Sequence, residues 1–146
     1  MSSGLRWYGE AVVARMQRAA RVGVNRTMSV AVLEAKATHP WKNRTGTAER
    51  SIRIVKGAVT AGTQTLGLWG SASTGYFRGL EFGTGPHTIL PRRGRFLRFK
   101  VGDRWVFARS VRHPGTRARP TLAPAARRVY PLLSGLIRDA YSRGGA

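Results

Sequence analysis

The chain has 146 residues, 26 of them Lys or Arg against six Asp or Glu, for a net charge of +20. That length fits one domain, residues 1–146, with a modest core, and the charge calls for a polyanionic or carboxylate-rich partner. With no cysteine, disulfides and thiolate zinc sites are excluded; no apolar run is long enough to span a membrane, and no signal-peptide core opens the chain, so it reads as soluble, unprocessed and suited to a reducing cytoplasm.

From Leu5 to Ala37 the sequence predicts one long helix. Leu5, Tyr8, Val12, Met16 and Ala19 recur at three- and four-residue steps and form an apolar stripe, with Arg6, Arg15, Arg18 and Arg21 largely off it. Gly23 and Asn25 are weak helix formers and leave room for a break in the middle. Pro40 disfavours helix at the residue before it and ends the segment.

Trp41 to Arg50 is a polar loop. Ser51 to Thr60 and Gln64 to Gly70 read as a strand pair around a turn at Ala61-Gly62-Thr63. Ser71 to Gly75 is loop, Tyr76 to Phe82 fits helix or strand, and Gly83-Thr84-Gly85-Pro86 breaks the chain. The clearest hairpin joins Phe96 to Val101 with Trp105 to Val111 across Gly102-Asp103, because Leu97, Phe99 and Val101 alternate with Arg98 and Lys100. An irregular arm runs from His113 to Pro120. A closing helix, residues 121–142, tolerates Pro124 in its first turn and should kink at Pro131; Gly144-Gly145 should fray. The expected fold is therefore α+β: a long N-terminal helix, antiparallel meander or hairpins within residues 51–111, and a C-terminal helix packed on the sheet. There is no internal repeat.

Catalytic signatures are missing. His39, His87 and His113 lie beside prolines or in Gly/Pro loops, without HxH or HExxH spacing. The six acids form no evident carboxylate pair, Ser71 and Ser73 lack a GxSxG elbow, and Gly67 and Gly70 precede no helix. No enzymatic role, metal or cofactor is expected, and a toxin-like nuclease is disfavoured for the same reason.

Charge concentrates between Pro86 and Arg119, where ten Arg or Lys residues face Asp103 alone, leaving +9. A solvated hairpin face is the plain explanation of such a run, but the density exceeds what a free surface needs. Arg92, Arg93 and Arg95 precede the hairpin and are expected on a protruding loop able to reach phosphates or a neighbour's carboxylates.

Three short motifs are more informative: Asn43-Arg44-Thr45-Gly46 leading to Arg50-Ser51-Ile52; Tyr76-Phe77 followed by Leu80-Glu81-Phe82-Gly83-Thr84; and His113-Pro114-Gly115 followed by Arg119-Pro120-Thr121-Leu122-Ala123-Pro124-Ala125. Each alone could be a turn and a helix start, with Gly46 and Gly83 supplying permissive backbone. Together, over about Arg44 to Ala126, their order and spacing resemble the tail-completion or neck family of long-tailed double-stranded DNA phages. Ala48 stands where that family usually has leucine, Thr121 where an aromatic is common, and the hairpin is richer in arginine.

The resemblance implies a structural virion protein, assembled in the host cytoplasm. It would form a ring of copies of itself, sixfold in expectation, between the head connector or stopper and the tail terminator or tail tube, around the genomic duplex. Implied interface residues are Arg44, Gly46, Glu81, Gly83, Thr84, His113, Pro114, Arg117 and Arg119. Arg92, Arg93 and Arg95 are the candidates for DNA or an acidic partner. Glu81 is expected to pair with an arginine, Arg44 for example, within or between subunits, and the long N-terminal helix and the His113 to Pro120 arm are the candidates for reaching across subunits. A tail terminator or head-closure ring is the alternative within the neck; a small basic nucleic-acid-binding protein is the alternative of another class, without a helix-turn-helix or stacking-aromatic motif to mark it.

Size and charge permit a ring. A compact domain of this length is ~38 Å across, so six in contact leave a hole about one subunit wide. Six copies at +20 carry +120, whereas ~38 Å of duplex presents only ~22 phosphate charges. Most of the arginines are therefore expected to meet protein, either neighbouring subunits or acidic rings above and below.

Overall fold

The structure, a computed structural model, describes residues 8–72 and 75–144. The fold is α+β, with a long N-terminal helix, antiparallel hairpins and a C-terminal helical segment. Its elements are α1 (Gly9–Thr38), α2 (Thr47–Ser51), β1 (Ile52–Ala61), β2 (Gln64–Ser71), α3 (Gly75–Phe82), β3 (His87–Ile89), β4 (Leu97–Val101), β5 (Arg104–Ala108), β6 (Val111–His113), α4 (Leu122–Val129) and α5 (Leu133–Ser142). The expected helical start at Leu5 and Arg6, the middle of the Ser71 to Gly75 loop and Gly145 lie outside the described residues. Where the sequence reads as one domain, the chain divides into two compact units, one from Met1–Thr74 with Pro120–Ala146 and the other Gly75–Arg119.

In the first unit α1 is one continuous helix, unbroken at Gly23 and Asn25, where the sequence left room for a break. Packing supplies what local propensity lacks. A Cβ on Gly23 would sit 2.9 Å from the backbone of Ile137 in α5, so glycine permits the close approach of the two helices. Asn25 accepts the Ala58 N–H of β1 at 2.8 Å, beside a slip in the β1–β2 register between Lys56 and Val59. The bulge releases a strand donor, and the helix satisfies it.

The buried stripe of α1 also differs from the expected one. Ala19, Gly23, Thr27, Ala31 and Ala35, with Met28, are buried, while Tyr8, Val12 and Met16 are exposed. Small residues at four-residue steps bring α4, α5 and the hairpin close to the α1 backbone, where larger side chains would hold them off. Arg15 fastens α1 to α5 by donating twice to the Tyr141 carbonyl, at 2.7 and 3.2 Å, while its guanidinium lies 4.4 Å from the Tyr141 ring centroid. Arg128 of α4 donates to Glu34 at 2.6 Å and to Thr38 at 2.7 Å on α1.

β1 and β2 pair antiparallel as expected, from Ile52 opposite Ser71 to Ala61 opposite Gln64. Ile52 is fully enclosed and anchors the hairpin. The C-terminal segment runs along α1 and meets the hairpin where Trp69 donates its indole N–H to the Tyr130 hydroxyl at 3.1 Å. Pro131 does interrupt that segment: a 3-10 turn at Tyr130–Leu132 separates α4 from α5.

In the second unit, the ambiguous segment Tyr76 to Phe82 lies in helix α3, which buries Phe77 and Glu81 one turn apart and ends at Gly83 with φ 74°. β4 and β5 form the expected hairpin with Gly102 at φ 57°. However, β5 stops at Ala108. Val111 instead begins β6, which pairs with β3, a short strand that the sequence reading takes as loop. Residues 51–111 thus form three separate two-stranded ladders rather than one continuous meander.

Candidate functional site

Two of the three motifs meet in the second unit. Thr84 and Thr116 exchange backbone hydrogen bonds, N–H to carbonyl at 2.9 and 3.0 Å, and the Arg119 N–H donates to the Leu80 carbonyl at 2.7 Å. The Thr84 hydroxyl also accepts from the Thr116 N–H at 3.0 Å. Both glycines are needed for this approach. A Cβ on Gly83 would lie 2.8 Å from the Thr116 carbonyl oxygen, and one on Gly115, at φ 97°, would strike the Thr84 carbonyl. The arm from His113 is therefore tied along its length to the end of α3 within its own unit.

His113 sits opposite His87 on the β3–β6 ladder, with ring centroids 5.0 Å apart, and its Nδ1 accepts the Gly115 N–H at 3.0 Å. Pro86, His87, Thr88, Arg112, His113 and Pro114 line a shallow depression of about 310 Å³ beside this pair. Pro114, Arg117 and Arg119 are exposed, Gly83 is half-buried, and Glu81 is buried.

The remaining motif belongs to the first unit. Gly46 takes φ 70° at the start of α2, and its N–H donates to the Asn43 side-chain oxygen at 2.8 Å. Asn43 donates in turn to Glu49, and Arg50 donates to the Thr45 carbonyl at 3.0 Å. The polar loop from Trp41 to Arg50 thus contains a short helix that the sequence reading does not anticipate. Its turn is satisfied from within, leaving Arg44 exposed. Arg44 and Glu81 lie in different units.

Arg92, Arg93 and Arg95 are exposed on the loop between β3 and β4. Beyond them lies a surface that the sequence reading overlooks. Register places Arg98 opposite Phe107 and Lys100 opposite Trp105 on one face of the β4–β5 hairpin, with Leu97, Phe99, Val106 and Ala108 on the other. The Arg98 guanidinium lies 4.0 Å from the Trp105 ring centroid; just past the ladder, Arg109 lies 5.9 Å from that of Phe96. Trp105 and Phe107 remain 54% and 63% exposed. Counting two residues back from the Gly102-Asp103 turn gives this pairing, so alternation across the turn was the available signal.

The arginines differ in their roles. In the first unit Arg15, Arg50 and Arg128 bond within the fold, and Arg21 reaches the Thr60 hydroxyl at 3.3 Å. In the second, Arg92, Arg93, Arg95, Arg104, Arg112 and Arg117 are exposed. The acids cannot balance them. Glu34 holds Arg128, Glu49 bonds Asn43 and lies 3.9 Å from His39, Asp103 is 3.8 Å from Lys100, and Glu81 is buried. Only Glu10 and Asp139 remain.

Among the described residues no group of three or more His, Asp or Glu side chains is placed to hold a metal, and no helix is long and apolar enough to cross a membrane. No protein-family model, curated protein or solved structure matches the chain.

Proposed function

We propose that this chain is a structural subunit of a ring at the head–tail joint of a tailed phage. Copies of it would close around the DNA passage and stack between the head connector and the tail. The observation that carries the reading is the joined pair of motifs in the second unit. Leu80–Thr84 and the arm from His113 to Arg119 are held edge to edge by backbone hydrogen bonds, and only glycine fits at their closest points. The same unit buries just Phe77 and Glu81 among its described side chains, so most of its surface is free for partners.

Charge directs the contacts. The first unit, with its helical core, suits the packing of like copies. The arginine-rich unit has almost no acid of its own kind to meet, so its counter-charges come from stacked proteins or from nucleic acid rather than from neighbouring copies.

Negative-stain microscopy and mass photometry of the purified chain test this reading. Closed rings, or rings that form only when a stacked virion partner is added, are the expected result. A chain that stays monomeric in both settings and never occurs in virions sinks the proposal.

A further inference from the structure

We propose that the exposed β4–β5 face carrying Arg98, Lys100, Trp105 and Phe107 is a stacking platform for unpaired nucleotides. The inference stands apart from ring assembly and goes beyond it.

The face combines two features that rarely coincide on a free surface. Two large aromatic side chains are more than half exposed, and each sits directly opposite a cation. One side of the Trp105 indole is already covered by Arg98 at 4.0 Å. A planar group arriving on the other side would complete a guanidinium–indole–base stack, in which the cation polarises the ring and the ring holds the base. Successive same-face positions on a strand are ~6.8 Å apart, so Trp105 and Phe107 can receive separate bases of an extended strand. Arg98 and Lys100 lie where its phosphates would run.

The choice of partner follows from charge and shape. The segment from Pro86 to Arg119 carries +9, so a second copy of this face is repelled. An acidic protein would satisfy the cations but leave the two rings without flat partners. Duplex DNA offers phosphates but keeps its bases stacked inside. A single strand satisfies both features together. Lys100 does not withdraw from this role, because its ion pair with Asp103 is solvent-exposed and contributes little.

The test uses the full chain and a fluorescein-labelled oligothymidylate of about 15 nucleotides, followed by fluorescence anisotropy over a salt series. A duplex of equal length, heparin and poly-glutamate serve as competitors. The wild-type chain should bind the single strand more tightly than the duplex, and poly-glutamate should compete poorly at equal charge. Trp105→Ala and Phe107→Ala should each weaken single-strand binding by roughly 5- to 100-fold while leaving the salt slope and heparin binding unchanged. Trp105→Phe should retain most of the affinity, which separates stacking from misfolding. Arg98→Gln with Lys100→Gln should reduce the slope of log K against log salt by about 1.4. Loss of heparin and single-strand binding together in Trp105→Ala, unchanged single-strand binding in both alanine variants, or preferential binding of duplex or poly-glutamate would each overturn the proposal. Mass photometry of the same variants reports ring formation separately.

Discussion

Single residues set the first unit's architecture where they meet a neighbour's backbone. Gly23 is the clearest instance, because any side chain there must push α5 away through Ile137. Gly23→Ala should destabilise the protein by about 1–3 kcal/mol, the usual range for overpacking, despite the higher helix propensity of alanine. A urea melt followed by circular dichroism would check this. Asn25→Ala removes the acceptor of the Ala58 N–H and should cost about 1–3 kcal/mol for the stranded donor. Ile52→Ala, at the one large side chain fully enclosed among the described residues, should cost about 2–5 kcal/mol. By contrast, Arg128→Gln breaks a half-exposed ion pair and should cost at most about 1 kcal/mol. In the sequence Gly23 and Asn25 read only as weak points in a helix. Propensity registers what a residue lacks locally; the contact with Ile137 and the bond to Ala58 come from segments far along the chain.

Among the elements, the contrast lies between hairpins. Both are two-stranded, but β1–β2 packs against α1 and carries the enclosed Ile52, whereas β4–β5 buries none of its own side chains. An isolated two-stranded ladder is marginal in water. Hydrogen exchange should therefore show β4–β5 amides opening at lower free energy than β1–β2 amides, and a bound partner should narrow the gap. Equal protection in the free protein would contradict this. Limited trypsin digestion should cut first at Arg92, Arg93 or Arg95, which lie on an exposed loop. Both hairpins were legible in the sequence because alternation and turn residues are local signals. β3 was not: three residues between Pro86 and Leu90-Pro91 give too little pattern, and β3 forms only because β6 returns beside it. The short helix α2 was hidden for a similar reason, since its start depends on Gly46 at φ 70° and on the Asn43 side chain.

For the whole molecule, the decisive quantity is where the charge resides. The net charge of +20 is plain from composition, and so is its concentration between Pro86 and Arg119. Its division of labour is not. Arginines of the first unit are drawn into the fold by carbonyls and Glu34, while most of those in the second project into solvent. Assembly with acidic partners should consequently weaken as salt rises from 50 to 500 mM, because screening shortens the reach of the exposed guanidinium groups to ~4 Å. The α1 packing should tolerate the same salt, being mainly apolar; a melting midpoint followed across that range would separate the two. The sequence alone determined the α+β class, the presence of a long N-terminal helix ending before Pro40, the interruption at Pro131, and the basic character of the middle segment, because periodicity, proline and charge act over a few residues. Only tertiary structure decided which face of α1 is buried, that α1 stays continuous through Gly23 and Asn25, and that the motifs around Gly83 and Gly115 are neighbours, because each depends on segments far apart in the chain and brought together by folding.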